Sequence, residues 1–346
     1  MTRFCSGLVL LMAQAVCLAG LAQAHDEELA QARASGNPFQ FVPGWPAPPL
    51  DPAFKGAVSA LEIDRSGQVW VISRSEVPVR IYNAKGQLIR SWGTGIFQKP
   101  HGLGFDAEGR AWITDIGNHT ARLFTPEGEL VLTLGTPGVA GVDETHFDQP
   151  TDAAIGPDGS VYIADGYGNN RVVRFDATGK FLQAFGTEGT GPGQFRLPHA
   201  LVFDAQGRLY VADRSNGRIQ IFDDAGKFLA EWADVMMPWD LWVSPRGQIF
   251  ACGSSPMRKT TLIKALPPGI PPRDQIVVEF EPTGSVRNRW TLSQGNKPGS
   301  VDWVHALTFA PDGTLYLGDI QGQRAQKFVR RGLVDTNVEQ AGFEKP

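Results

Sequence analysis

Cysteine is almost missing from this chain. There are three in 346 residues, and two of them, Cys5 and Cys17, fall within the first 24. If that segment is removed, Cys252 stands alone and an intrachain disulfide is excluded in any redox compartment. A disulfide-stapled scaffold is thereby ruled out, and stability has to come from a packed core, which a chain of this length can build. Basic clusters are missing too. No run of Lys and Arg exceeds Arg330-Arg331 and the formal net charge is −4, so nothing points to a nucleic-acid surface. No helical periodicity is seen. The one long apolar run, Leu8–Leu21, is interrupted by Gln14 and is too short to span a bilayer comfortably.

That run has Arg3 before it and Ala22-Gln23-Ala24 after it, the charged start, apolar centre and A-x-A site of an export signal. We expect residues 1–24 to be a signal peptide, 25–36 a linker and 37–346 the folded part. The protein is expected to be secreted or periplasmic after cleavage, monomeric and without a membrane span.

What the sequence does have is turns. Glycine, at 40 residues, and proline, at 25, are abundant. One unit recurs: an alternating apolar strand, a turn ending in Gly, a second strand, a small polar loop and a third strand. Leu103–Phe124, Ala153–Phe175 and Leu201–Phe222 align on this pattern. The turn glycines Gly67, Gly109, Gly159, Gly207, Gly247 and Gly313 mark six units, and several continue into a fourth strand, as at Phe181–Phe185. Six repeats of four short antiparallel strands predict an all-β fold, a six-bladed β-propeller. The last unit runs out after three strands, and Phe39-Gln40-Phe41-Val42 is the expected closing strand. The fifth carries a Pro-rich insertion, Ser254 to Asp274, read as a surface loop.

The repeat also supplies a coordinate system. Eight residues before each turn glycine stand Ser59, His101, Thr151, His199, Trp239 and His305, all at the start of a first strand, where a propeller lines its central channel. Histidine is scarce, six in the whole chain, yet it fills alternate positions of this ring. Alternate blades of a six-fold ring stand about 120° apart, so three imidazoles converge on the axis. Three neutral imidazoles with one open position suit a catalytic metal such as zinc. His25, His119 and His146 fall off the register and read as surface or loop residues.

Six residues after each turn glycine come Ser73, Asp115, Asp165, Asp213, Gly253 and Asp319, at the same mouth. The aspartates read as turn caps that bind backbone N–H groups. One step further, Arg74 and Arg214 lie in opposite blades and suit a carboxylate held near the metal. Tyr167, between Gly166 and Gly168, is a candidate general base if nearby positive charge lowers its pKa.

The blades resemble NHL repeats over nearly all of residues 37–330. Within that group the chain is similar to the peptidyl-α-hydroxyglycine α-amidating lyases, which supply the second activity of peptide C-terminal amidation. The resemblance is carried by Lys99-Pro100-His101-Gly102-Leu103, His146–Asp152, Ala164–Arg171, Leu197-Pro198-His199-Ala200-Leu201, Ala212–Gln220, and His305 with Pro311-Asp312-Gly313. It implies zinc at His101, His199 and His305, a catalytic Tyr167, and active-site arginines at Arg74 and Arg214. Animal members carry disulfides near the Tyr167 and Arg214 loops, where this chain has no cysteine. They also hold a structural calcium, partly through an acidic residue just after the last metal histidine. Here that position is Ala306, which leaves calcium open.

The implied substrate is a small molecule or peptide ending in an N-acyl α-hydroxyglycine. With zinc lowering the pKa of its hydroxyl, Tyr167 takes the proton and the C–N bond breaks to an amide and glyoxylate. Two other readings stand beside this one. A non-catalytic secreted NHL-type propeller would bind a peptide or glycan. A lactonase-like hydrolase would need a carboxylate-rich metal site, which the histidine ring disfavours.

Overall fold

The computed structural model describes residues 37–46, 56–233, 236–255 and 274–331. The expected signal peptide and linker lie outside the described residues, as does most of the Pro-rich insertion. What is described is a six-bladed β-propeller. Each blade is a four-stranded antiparallel sheet. The first strands, which face the axis, are Val58–Ile63, Pro100–Phe105, Asp152–Ile155, Pro198–Phe203, Met237–Val243 and Val304–Phe309.

Local chemistry accounts for the hairpins. The six turn glycines have φ between 76° and 84°, a region that side chains with a Cβ rarely enter. The turns are also capped. Asp64 Oδ1 accepts from the Ser66 and Gln68 amides, Asp106 Oδ1 from Glu108 and Arg110, and Asp204 Oδ1 from Gln206 and Arg208.

The second strands are buried on both faces because each sheet packs on two neighbours, whereas outer strands such as Leu88–Trp92 and Phe228–Ala233 are largely exposed. The apolar core divides into six clusters, one at each blade interface. Cys252 is a free thiol inside the cluster between blades 5 and 6.

Ring closure follows the expectation. Phe39–Phe41 pairs antiparallel with Arg324–Arg330, in the register Phe39↔Arg330, Gln40↔Val329 and Phe41↔Phe328. It thus becomes the outer strand of blade 6. Phe39 is 2% exposed and meets Trp290 of blade 5 and Phe309 of blade 6, so the closing strand also seals a blade interface. Among the described residues no helix is long and apolar enough to cross a membrane.

Candidate metal centre

In five blades the ring residue sits on a β-bulge. The pairing of first and second strands shifts between Val58 and Ala60, Pro100 and Leu103, Pro198 and Leu201, Pro238 and Asp240, and Val304 and Ala306. The bulged residues include Ser59, His101, His199, Trp239 and His305. A bulge breaks the strict alternation of a strand and re-aims a side chain, which is how these residues come to face the axis.

His101, His199 and His305 are all buried, and their ligand atoms lie within 4.8 Å of one another. The ring centroids are 4.8–5.0 Å apart with interplanar angles of 70–72°, so the set is close to three-fold symmetric. Each Nδ1 contacts a main-chain carbonyl of the next blade: His101 that of Thr151 at 2.7 Å, His199 that of Trp239 at 2.5 Å, and His305 that of Ser59 at 2.8 Å. A carbonyl only accepts, so every Nδ1 carries the proton and every Nε2 presents a lone pair. The acceptors belong to the three ring positions that are not histidine. The ring hydroxyls behave alike, since Ser59 Oγ donates to the Pro100 carbonyl and Thr151 Oγ1 to that of Pro198, both at 2.9 Å.

Burial drives all three imidazoles toward the neutral form. His305 falls to about 3, and His101 and His199 fall well below the ordinary histidine value, with neighbouring ring and arginine charges adding to the effect. His305 Nε2 is a buried nitrogen with no partner, which costs free energy unless something fills the coordination. Neutral rings, fixed tautomers, convergent lone pairs and an orphaned acceptor together fit a metal ion.

Tyr167 covers this centre. Its hydroxyl lies 3.2 Å from Nε2 of both His101 and His199. The flanking glycines are required by space: a Cβ on Gly166 would stand 1.9 Å from the Pro198 carbonyl oxygen, and one on Gly168 2.0 Å from the Asp148 carboxyl carbon. Arg214 lies at the start of a single 3-10 turn, Arg214–Asn216, closed by Gly217 in the left-handed region. Its guanidinium carbon is 3.5 Å from the centre of the Trp239 ring and 5.9 Å from that of Tyr167. Burial lowers its pKa to about 10, still charged at neutral pH. Arg74 acts electrostatically on Tyr167 and on two of the histidines, which places it at the same mouth.

Both arginines pull the Tyr167 pKa down, as anticipated, but burial of the phenol outweighs them and the net shift is upward. The protein's own charges do not turn Tyr167 into a phenolate.

The four register aspartates are buried braces. Asp115, Asp165, Asp213 and Asp319 each accept backbone N–H groups from the preceding loop and pair with an arginine, respectively the buried Arg122, Arg171 and Arg218 and the partly buried Arg324. His119 pairs with Asp148 and His146 with Asp143, both away from the ring. His25 lies outside the described residues.

Other features of the site were missed in the sequence. Gln149 and Leu197 adopt φ of 60° and 61°, conformations that are strained for residues with a Cβ. Their carbonyls accept the Tyr167 and Arg214 amides, so the strain sits under the two loops that carry the mouth. Ser254 occupies in blade 5 the slot that Arg74 and Arg214 fill in blades 1 and 4. On the far side of the histidines the channel holds a cavity of about 330 Å³, lined among others by Glu62, Asp152 and Asp240. None of these had a local signal except Ser254, which the register itself marks.

The NHL repeat family model matches residues 147–175 and 195–222. Peptidyl-glycine alpha-amidating monooxygenase A of Xenopus laevis is 31% identical over 272 residues, 75% of this chain but only 28% of that protein's length. A Caenorhabditis elegans protein named as a probable peptidyl-alpha-hydroxyglycine alpha-amidating lyase is 31% identical over 253 residues, 71% of this chain and 68% of its own. NHL repeat-containing protein 3 of Mus musculus is 33% identical over 249 residues, 67% of this chain and 71% of its own. Among solved structures a streptogramin B lyase shares the fold, with a TM-score of 0.55 and 13% identity over 80% of this chain and 94% of that one. Repeat, identity and coverage agree: the chain belongs to the NHL-repeat β-propeller family that includes the peptidyl-α-hydroxyglycine α-amidating lyases and NHL repeat-containing protein 3.

Proposed function

We propose that this chain is a zinc-dependent lyase that cleaves the C–N bond of an N-acyl or peptidyl α-hydroxyglycine to an amide and glyoxylate. The observation that carries the reading is the His101–His199–His305 set, with each Nδ1 tied to a carbonyl and three Nε2 lone pairs converging beneath the Tyr167 hydroxyl. A purely binding propeller has no need of a buried, unpartnered imidazole nitrogen such as His305 Nε2.

A bound divalent ion supplies Lewis acidity, lowering the pKa of the substrate hydroxyl and of the adjacent phenol. That offsets the burial that keeps Tyr167 protonated in the metal-free chain. Tyr167 as phenolate then takes the hydroxyl proton and returns it to the departing amide nitrogen. The hydroxyl oxygen becomes the glyoxylate carbonyl as the C–N bond breaks, and no water is added. Arg214 and Arg74 hold the carboxylate. The work of the chain is thus to orient the hydroxyl toward Tyr167 and to keep that exchange dry.

We place the protein outside the cytoplasm after removal of residues 1–24, on the strength of Arg3, the apolar run and Ala22-Gln23-Ala24. A propeller that closes on its own Phe39–Phe41 strand is expected to work as a monomer. The test is glyoxylate release from N-benzoyl-α-hydroxyglycine, with and without a chelator, beside the zinc content of the same sample. Chelator-sensitive release with about one zinc per chain is expected. No release from zinc-loaded protein overturns the lyase and leaves the peptide- or glycan-binding propeller.

A further inference from the structure

Arginine is held in two ways at this mouth. Arg122, Arg171, Arg218 and Arg324 are each neutralised by an aspartate of their own blade at 2.7–3.2 Å. Arg214 is treated differently. Among the described residues no carboxylate comes within ion-pair distance of it, and the side-chain hydrogen bond it makes goes to the Tyr167 hydroxyl. Its guanidinium instead lies 3.5 Å from the centre of the Trp239 ring. A protein carboxylate on Arg214 would compete with any carboxylate ligand. An indole face stabilises the charge through its quadrupole and leaves the N–H donors unspent.

Trp239 is itself firmly set. It is 4% exposed. Its Nε1–H donates to Ser254 Oγ at 2.7 Å, and Ser254 Oγ donates to Asp274 Oδ1 at 2.5 Å. Trp303 packs edge-on against it at 4.6 Å. Its carbonyl is the acceptor for His199 Nδ1–H. One residue therefore orients a histidine of the centre through its main chain and Arg214 through its side chain.

We infer that Trp239 is a positioning residue that holds Arg214 charged and free of a protein carboxylate, ready for a ligand carboxylate, with Ser254 and Asp274 fixing the plane of its indole. The inference rests on the reading of Arg214 as the carboxylate anchor. It does not need the chemistry that follows binding. Asp274 adds a second, longer-range effect, since its charge favours the charged guanidinium.

The test is the affinity of N-benzoylglycine, which lacks the reactive hydroxyl, measured by calorimetry on zinc-loaded protein, beside KM and kcat for its α-hydroxylated analogue. Trp239→Leu removes the indole face and should weaken N-benzoylglycine binding and raise KM by about tenfold or more. Zinc content should be unchanged, because the His199 acceptor is main chain. Trp239→Phe keeps a ring but loses the Nε1–H, and Ser254→Ala loses the link to Asp274. Each should cost roughly threefold with native near-UV circular dichroism, and these two carry the test if Trp239→Leu does not fold. Wild-type affinity in the variants that fold overturns the inference. So does loss of zinc in parallel with loss of affinity, which would make Trp239 a support for the metal alone. A wild-type protein that binds N-benzoylglycine without cleaving the hydroxylated analogue sinks the lyase and leaves this inference standing. One that binds no N-benzoylglycine sinks both.

Discussion

His305 Nδ1 lies 2.8 Å from the Ser59 carbonyl, a contact between residues 246 apart in sequence. It joins the last blade to the first, at the seam that the Phe39–Phe41 strand also secures from the outside. The orientation of one histidine of the candidate metal centre therefore depends on the ring being shut. Removing residues 37–46 should lower the Tm by well over 10 °C and also abolish the rise in Tm expected of the intact chain on adding zinc. Thermal unfolding with and without zinc checks this. A truncated chain that unfolds early yet gains as much from zinc as the full one would uncouple seam and site. Ser59→Ala is the mild control. It removes the 2.9 Å bond from Oγ to the Pro100 carbonyl, costs about 1 kcal/mol, and leaves the carbonyl that His305 uses.

Tyr167 and Arg214 should separate kinetically. Tyr167→Phe keeps the ring and removes the proton acceptor, so kcat should fall roughly a hundred- to ten-thousandfold with zinc content and KM little changed. Arg214→Lys keeps a charge but loses the planar fork, and should act mainly on KM. Steady-state glyoxylate release distinguishes the two. Equal effects on KM and kcat in both variants would assign them a shared structural part.

The ring register was legible because it follows from counting. A repeat with one turn glycine per blade puts a given offset at a given place in the fold, and His101, His199 and His305 share an offset. The closing strand was legible because a propeller short of one strand needs another. The bulges at Ser59, His101, His199, Trp239 and His305 were not, since two residues opposite one leave no compositional trace. Nor were Glu62, Asp152 and Asp240. They read as ordinary polar residues of alternating strands, and only the ring geometry brings them to one cavity. The net direction of the Tyr167 shift was not legible because it depends on how far the phenol is buried, which a sequence does not state.

The two glycines around Tyr167 make unequal demands. A Cβ on Gly166 would meet a main-chain oxygen, that of Pro198, one residue before His199. Backbone there can move only by dragging the adjacent His199 with it. A Cβ on Gly168 would meet the Asp148 side chain, which has rotamers to choose from. Gly166→Ala should cost about 1–3 kcal/mol of stability and most of the activity, whereas Gly168→Ala should retain more of both. Denaturant unfolding and turnover on the pair test this. The reverse order would mean that the Asp148 contact, not the Pro198 carbonyl, sets the Tyr167 loop.

The channel cavity predicts how stability responds to pH in chelated protein. Burial raises Glu62 and Asp240 to about 7 and Asp152 well above the usual carboxylate range, and repulsion from neighbouring carboxylates adds to this at Asp152 and Asp240. Each is held by a group of an adjacent blade: Glu62 by the Thr308 hydroxyl, Asp152 by the Leu201 amide and Asp240 by the Leu307 amide. Their folded pKa values exceed the unfolded ones of about 4, so the native state binds more protons and stability falls as pH rises from there through 7. The buried histidines act in the opposite sense. Their folded values are depressed, so their contribution is lost as pH falls below the unfolded value of about 6.5. The two effects oppose each other between about pH 4 and 6.5, and above that only the carboxylates still titrate. Wild-type Tm should therefore decline between pH 6.5 and 8 by several degrees, with a flatter slope in Glu62→Gln and Asp240→Asn. Thermal scans across that window decide it. A Tm that rises from pH 6.5 to 8, or an unchanged slope in both variants, would show that the three carboxyls are already ionised in the folded chain at neutral pH.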